Sequence, residues 1–180
     1  TGIDKRIAVA FPGYAELVAP RPLTRDELVS LAKRRSNEVL FYFDVADRWI
    51  DQWIVDPQAD KPVRWRRVNV SRKVLRAKVH ALRCGLDGGE WVGDVKPLKC
   101  LEATGQMPVD GRLPFKTETA QELFKVLFGP FKKRLEDREV LIVADDVLSS
   151  LPFQVLLTSA HGGDDLQKAP WFGLENPISV

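Results

Sequence analysis

Two histidines, two cysteines, two tyrosines and one methionine in 180 residues leave little of the side-chain chemistry from which most active sites are built. Two cysteines make neither the disulfide framework of a small secreted domain nor a four-ligand zinc site, so a reducing compartment, most simply the cytoplasm, is expected. An excess of one charge is also missing. Twenty-seven Lys and Arg stand against 25 Asp and Glu, a net +2 that falls well short of a dedicated nucleic-acid binder. The longest apolar runs, such as "VLFYFDV", are strand-sized and far below the roughly 20 residues that cross a bilayer, so no membrane partner is expected.

What is present is apolar and aromatic. Hydrophobic residues make up 44% of the chain, with nine Phe and five Trp, enough buried surface to offset the ordering entropy of one compact domain. The chain starts on Thr1 and stops on the strand-like "NPISV" with no turn or cap after it, so it reads as part of a longer polypeptide.

Residues 1–22, broken by Pro12, Pro20 and Pro22, predict an extended leading arm or linker, with one domain over 23–180. Thr24-x-x-Glu27 is a capping box opening a helix whose buried face is Leu28, Leu31 and Ala32. "EVLFYFDV", "WIDQWIVD" and "VRWRRVNV" then predict three consecutive antiparallel strands. Ser71 caps a second helix with Leu75, Val79, Leu82 and Leu86 on one stripe, stopped by Gly85, Gly88 and Gly89. No period holds over about 87 to 117, which predicts an unusually long loop. Thr119-x-x-Glu122 is a second capping box, and Ala120, Leu123, Phe124, Leu127, Phe131 and Leu135 line a long helix with a break at Gly129-Pro130. "EVLIVADD" follows, a buried parallel strand ending in acids. The order predicts an α/β domain.

Asp145 and Asp146 end that strand, where α/β proteins place binding groups. Two adjacent carboxylates suit a cationic substrate side chain or a partner's Arg; the competing reading is an Asx cap on the next turn. Arg64, Arg66 and Arg67 around Trp65 suit phosphates and a stacked base, but alternating Arg on a strand is more often the wet face of a sheet. His80, at the edge of its helical stripe, is read as no metal ligand, and Cys84 as a small buried hydrophobe.

"FPGYAELVAPRPLTRDEL", "LFYFDVADRWIDQWIVD" with "SRKVLRAKVHALRCGLD", and "LFKVLFGPFKKRLEDREVLIVADDVLSSLPFQVLLT" together resemble bacterial CHAT domains, the caspase-like modules commonly fused to tetratricopeptide repeats. Gly129 and Pro130 match the family's helix break, Leu141 to Val143 its strand, Asp145 its acid, and Leu151, Pro152 and Phe153 its Leu-Pro-Phe signature. Ala144 and Asp146 stand where the pattern has Pro and Gly.

The resemblance implies a caspase-like three-layer architecture, incomplete here: the N-terminal pseudo-protease half plus the first strand of the catalytic half. It also implies a cysteine endopeptidase whose His-Cys dyad lies after this segment, leaving this chain structural or substrate-positioning, without catalytic residues of its own and without metal or organic cofactor. Its partners would be the rest of its own domain, tetratricopeptide repeats, and a protein substrate or partner. The alternative is a non-catalytic CHAT-like interaction or regulatory module; a nucleic-acid partner is the weakest reading.

Two motifs imitate the missing dyad. His161-Gly162 follows Leu-Pro-Phe too closely and leads into a polar turn, and "CLEATG" from Cys100 follows Pro97 in an irregular stretch, so neither is expected to be catalytic. Ser149 and Ser150 lack a G-x-S-x-G elbow.

Overall fold

Alternating apolar residues in the first three strand segments make one-sided strands, and a computed structural model, which describes residues 7, 10–11, 21–35, 37–86, 96–106, 113–163 and 165–180, assembles them into a mixed sheet. Strands β1 (Glu38–Val45), β2 (Ile50–Val55) and β3 (Val63–Val68) form an antiparallel meander, with Tyr42 opposite Trp53 and Trp53 opposite Trp65. Strand β4 (Glu139–Ala144) runs parallel to β1, pairing Glu38 with Glu139 through to Phe43 with Ala144. The short β5 (Ile178–Ser179) runs parallel to β4, which gives the order β3-β2-β1-β4-β5. The protein is a mixed α/β fold with five strands among the described residues.

Helices cover the face that carries Val39, Phe41, Phe43, Val140 and Ile142. Helix α1 (Arg25–Lys33) precedes β1, and α2 (Arg72–Cys84), α3 (Lys96–Thr104) and α4 (Thr117–Leu127) follow the meander; a short α5 (Phe172–Glu175) precedes β5. Leu75, Val79 and Leu82 of α2 and Ala120, Leu123, Phe124 and Leu127 of α4 merge with the inward strand residues in one core. Its centre is aromatic. Phe41 and Phe43 meet Phe128 edge-on at 5.0 and 5.8 Å, and Phe153 stacks on Phe43 at 6.3 Å. Such offset and edge geometries add about 0.5–1.5 kcal/mol per pair beyond area burial.

Of the signature residues, Leu151 and Phe153 are part of this core. Phe153 is fully buried and Leu151 nearly so, while Gly129 and Pro130 begin a 3-10 turn (Gly129–Arg134) that carries Phe131 inward. Gly173 is required for packing: a Cβ there would lie 2.7 Å from the Gln154 Cβ.

Several expectations are corrected. Of the leading arm, most lies outside the described residues; Ile7 and Ala10 are helical, and Phe11 donates to the Ile7 carbonyl at 2.8 Å. Helix α1 keeps its capping box, with Thr24 and Glu27 bonded reciprocally, but buries no residue, and Leu31 faces outward. Helix α4 begins at Thr117, so Thr119 lies inside it and caps nothing; Lys116 is the cap residue and makes no side-chain cap bond. Strand β4 is buried on one side only, Val143 being exposed. The expected loop contains α3: Pro97 falls in its first turn, where an absent N–H costs nothing, and Gly105 at φ 61° closes it. Residues 87–95 and 107–112, with Gly88 and Gly89, lie outside the described residues.

The arginine strand is divided between the two faces: Arg67 lies on the exposed face, as expected, whereas Arg66 does not. Arg66 sits on the helix-covered side, bonded to Gln52 at 2.5 Å and to the Val126 carbonyl at 2.6 Å, and burial pushes its guanidinium below its ordinary range. Those contacts satisfy carbonyls at the end of α4, where a cation also suits the helix dipole. The opposite face carries Trp65 and Arg67.

Candidate functional site

Parallel pairing of β1 and β4 brings their carboxyl ends side by side, and the acids that end β4 meet the turn that leaves β1. Asp145 Oδ1 accepts a hydrogen bond from the Val45 N–H at 3.1 Å, so it closes the end of the neighbouring strand rather than capping its own turn. Asp146 faces α2. Its carboxylate lies 2.9 Å from Arg72 Nε and 3.7 Å from an Arg76 terminal nitrogen. Arg72 also donates to the Val45 carbonyl at 2.7 Å and stands 3.6 Å from Asp47. The Arg72 Nε contact is electrostatic without hydrogen-bond alignment. The result is a half-exposed cluster of three carboxylates and two guanidiniums at one end of the sheet.

Asp146 takes φ 44°, a left-handed conformation that glycine adopts freely and that Asp tolerates better than most residues. The turn continues as a 3-10 segment (Asp146–Ser150), whose Ser149 and Ser150 hydroxyls donate to the carbonyls of Asp146 and Val147 at 2.6 and 2.9 Å. Both hydroxyls serve the turn.

Asp145 and Asp146 line neither of two recesses. One, of about 380 Å³, is bordered by Lys132, Asp137, Thr158, Glu175 and Asn176; the other, of about 470 Å³, by Leu86, Phe115, Val155, Trp171 and Leu174. His161 is in a half-buried loop. No described helix is long and apolar enough to cross a membrane.

The sheet face away from α2 and α4 is a second feature. Register places Trp65, Trp53, Tyr42 and Val143 in one row across four strands, with Trp65 55%, Tyr42 41% and Val143 43% exposed. Arg67 beside them is committed: it makes a two-pronged pair with Asp51 at 2.8 and 2.9 Å and lies 4.2 Å over the Trp49 ring. That pairing holds the Asp51 carboxyl below its usual range and Arg67 above its own. With Arg66 turned to α4 and Arg67 neutralised, the strand offers few cations to phosphates.

The cysteines depart furthest from expectation. Cys100 is on α3, not in a loop, and is bonded to Cys84 at the end of α2, with Cα atoms 5.6 Å apart. Its sulfur is not a free nucleophile in this state. His80 has a ligand-bearing neighbour after all: Cys84 is one turn further along the same helix face, and donor atoms of His80, Cys84 and Cys100 lie within 4.8 Å of one another. The i, i+4 spacing was the signal in the sequence; the arrival of Cys100 depends on a helix that Pro97 disguised. The chain matches no protein-family model and no curated protein.

Proposed function

We infer that this chain is the N-terminal part of a CHAT-type cysteine endopeptidase module, related in architecture to caspases and separases, and that it frames the catalytic half without supplying the nucleophile. The observation that carries the reading is the turn after β4. Asp146, where the CHAT pattern has the Gly of its Pro-Asp-Gly turn, is left-handed, and Asp145 ties the ends of β1 and β4 together. Further support comes from the Leu151-Pro152-Phe153 signature, whose Phe is packed in the centre of the core.

In this reading the sheet continues beyond β5, in a three-layer architecture, with further parallel strands from the same polypeptide bringing the dyad to the carboxyl ends. The cysteine thiolate would attack a peptide carbonyl, the histidine would protonate the leaving amine, and backbone N–H groups would hold the oxyanion. Asp145 and Asp146 then stand beside the substrate channel. Asp146, already paired with Arg72 and Arg76, exchanges one of those partners for a basic substrate side chain or an Arg of a partner protein. The compartment is cytoplasmic in this account.

The test uses the full polypeptide with fluorogenic peptides varied at the residue before the scissile bond. Asp146→Asn is expected to raise KM for Lys or Arg at that position and leave neutral residues unaffected. Equal KM changes for basic and neutral peptides refute the assignment.

The exposed aromatic row favours a second reading, a non-catalytic CHAT-like module that binds a protein partner or its own tetratricopeptide repeats through that face. Absence of peptidase activity in the full polypeptide, with binding lost in Trp65→Ala, would select it.

A further inference from the structure

His80, Cys84 and Cys100 are the one group of three metal-ligating side chains among the described residues whose donor atoms converge. We propose that they form a redox-gated site for a thiophilic divalent cation, Zn²⁺ above all, open when the cysteines are dithiol and closed when they are bonded.

The ligand set is built from two helices. His80 and Cys84 stand at i and i+4 on α2, a spacing that puts two ligands on one helix face, and α3 delivers Cys100 to the same point. A disulfide alone needs no histidine. Two thiolates with one imidazole are a donor set that prefers Zn²⁺ among common divalent ions, and tetrahedral coordination with Zn–S about 2.3 Å and Zn–N about 2.0 Å separates ligand atoms by roughly 3.5–3.8 Å. The three donors are already within 4.8 Å, and His80 is exposed, free to swing by one rotamer. Cys84 is buried and Cys100 half-buried, so the sulfurs are shielded while the histidine side admits the ion. The fourth position is left to solvent.

The chemistry balances with ordinary reactants. A dithiol reductant gives two electrons and two protons to the pair, breaking the protein's S–S bond and forming its own. Zn²⁺ then displaces the two thiol protons to solvent and takes a lone pair from neutral His80. Peroxide reverses this: the thiolates lose two electrons and re-form the S–S bond, two solvent protons convert the peroxide to two waters, and the cation leaves. In a reducing compartment the dithiol is the resident state, so the cation would hold α3 to α2 where the covalent bond does not.

The experiment titrates the intact chain with Co²⁺ after phosphine reduction and removal of metals, then measures Zn²⁺ affinity by competition with a chromophoric chelator. Expected are one Co²⁺ per chain with thiolate-to-cobalt charge-transfer absorption and tetrahedral d–d bands, none in the disulfide form, and displacement by Zn²⁺. His80→Ala changes an exposed residue and should fold normally. Because loss of even an outer-shell partner costs about 10–100-fold in affinity, loss of this ligand should cost roughly 100-fold or more. Cys84→Ser should cut the charge-transfer band by half or more, one thiolate being left, at unchanged far-ultraviolet circular dichroism. Co²⁺ binding without thiolate character, equal binding by the disulfide form, or full affinity in His80→Ala overturns the proposal. So does a loss of helical signal on reduction that Zn²⁺ does not reverse.

Discussion

Phe153→Ala removes the ring that joins the Leu-Pro-Phe segment to the sheet. The side chain is fully buried, stacked on Phe43 at 6.3 Å and edge-on to Phe128 at 6.0 Å. Deleting a core Phe to Ala costs about 3–5 kcal/mol, because the transfer free energy of the ring is lost and a cavity remains. Against a total domain stability of about 5–15 kcal/mol, that is a fifth or more of what a typical fold has. Urea unfolding followed by tryptophan fluorescence measures it. With a slope near 2 kcal/mol per molar, a loss of about 4 kcal/mol lowers the midpoint by about 2 M. Leu174→Ala is the matched control, since Leu174 is 79% exposed and a change there stays within about 0.5 kcal/mol. If Phe153→Ala unfolds with the midpoint and slope of Leu174→Ala, the packing argument is wrong and the signature has no structural role.

Asp145→Ala leaves the Val45 N–H without its acceptor and should cost about 1–3 kcal/mol in the same assay, with Asp145→Asn losing less because its carbonyl still accepts; equal losses refute the hydrogen bond as the cause. Gly173→Ala pushes a methyl to 2.7 Å from the Gln154 Cβ and 3.0 Å from its Cα, so overpacking should destabilise by about 1–3 kcal/mol, and a neutral result would mean that α5 shifts freely. Glu27 is held down from 4.5 to about 2, first by the Arg21 side chain and then by the Thr24 N–H and hydroxyl. A depressed folded pKa gives stabilisation that is fully present above the unfolded value and lost as pH falls through the folded one, so the first turn of α1 should fray between about pH 4.5 and 2. Amide exchange at Thr24 and Glu27 follows it, and unchanged protection across that window contradicts the assignment.

Much of the sheet was legible because its strands announce themselves locally. Alternating Val39, Phe41, Phe43 and Val45 can only be one-sided, and Ser71 with Leu75, Val79 and Leu82 has both a cap and a stripe. Other features depend on tertiary structure that period and propensity do not carry. Leu28, Leu31 and Ala32 form a helical stripe, yet nothing in the stripe says whether a core lies beneath it. Thr119 and Glu122 have capping-box spacing, but Thr117 and Glu118 extend the helix one residue pair earlier and make Thr119 interior. Arg66 reads as solvated until the end of α4 and the middle of β2 are brought beside it, offering carbonyls and Gln52. At the candidate site, the acids were visible at the end of an aliphatic run, whereas their partners Arg72, Arg76 and the Val45 N–H come from 70 to 100 positions upstream. The disulfide is similar: Pro97 hid a helix by occupying the one turn in which a proline fits.

The most direct test of the proposed function is covalent labelling of the full polypeptide with a peptidyl acyloxymethyl ketone, a reagent that alkylates only activated cysteine thiolates, followed by peptide mapping. The account predicts a single adduct on a cysteine that follows Val180, with Cys84 and Cys100 unmodified in both the full polypeptide and the isolated chain. An adduct on Cys84 or Cys100 contradicts it by placing the nucleophile in this segment, and no adduct at all contradicts the endopeptidase reading in favour of a binding module.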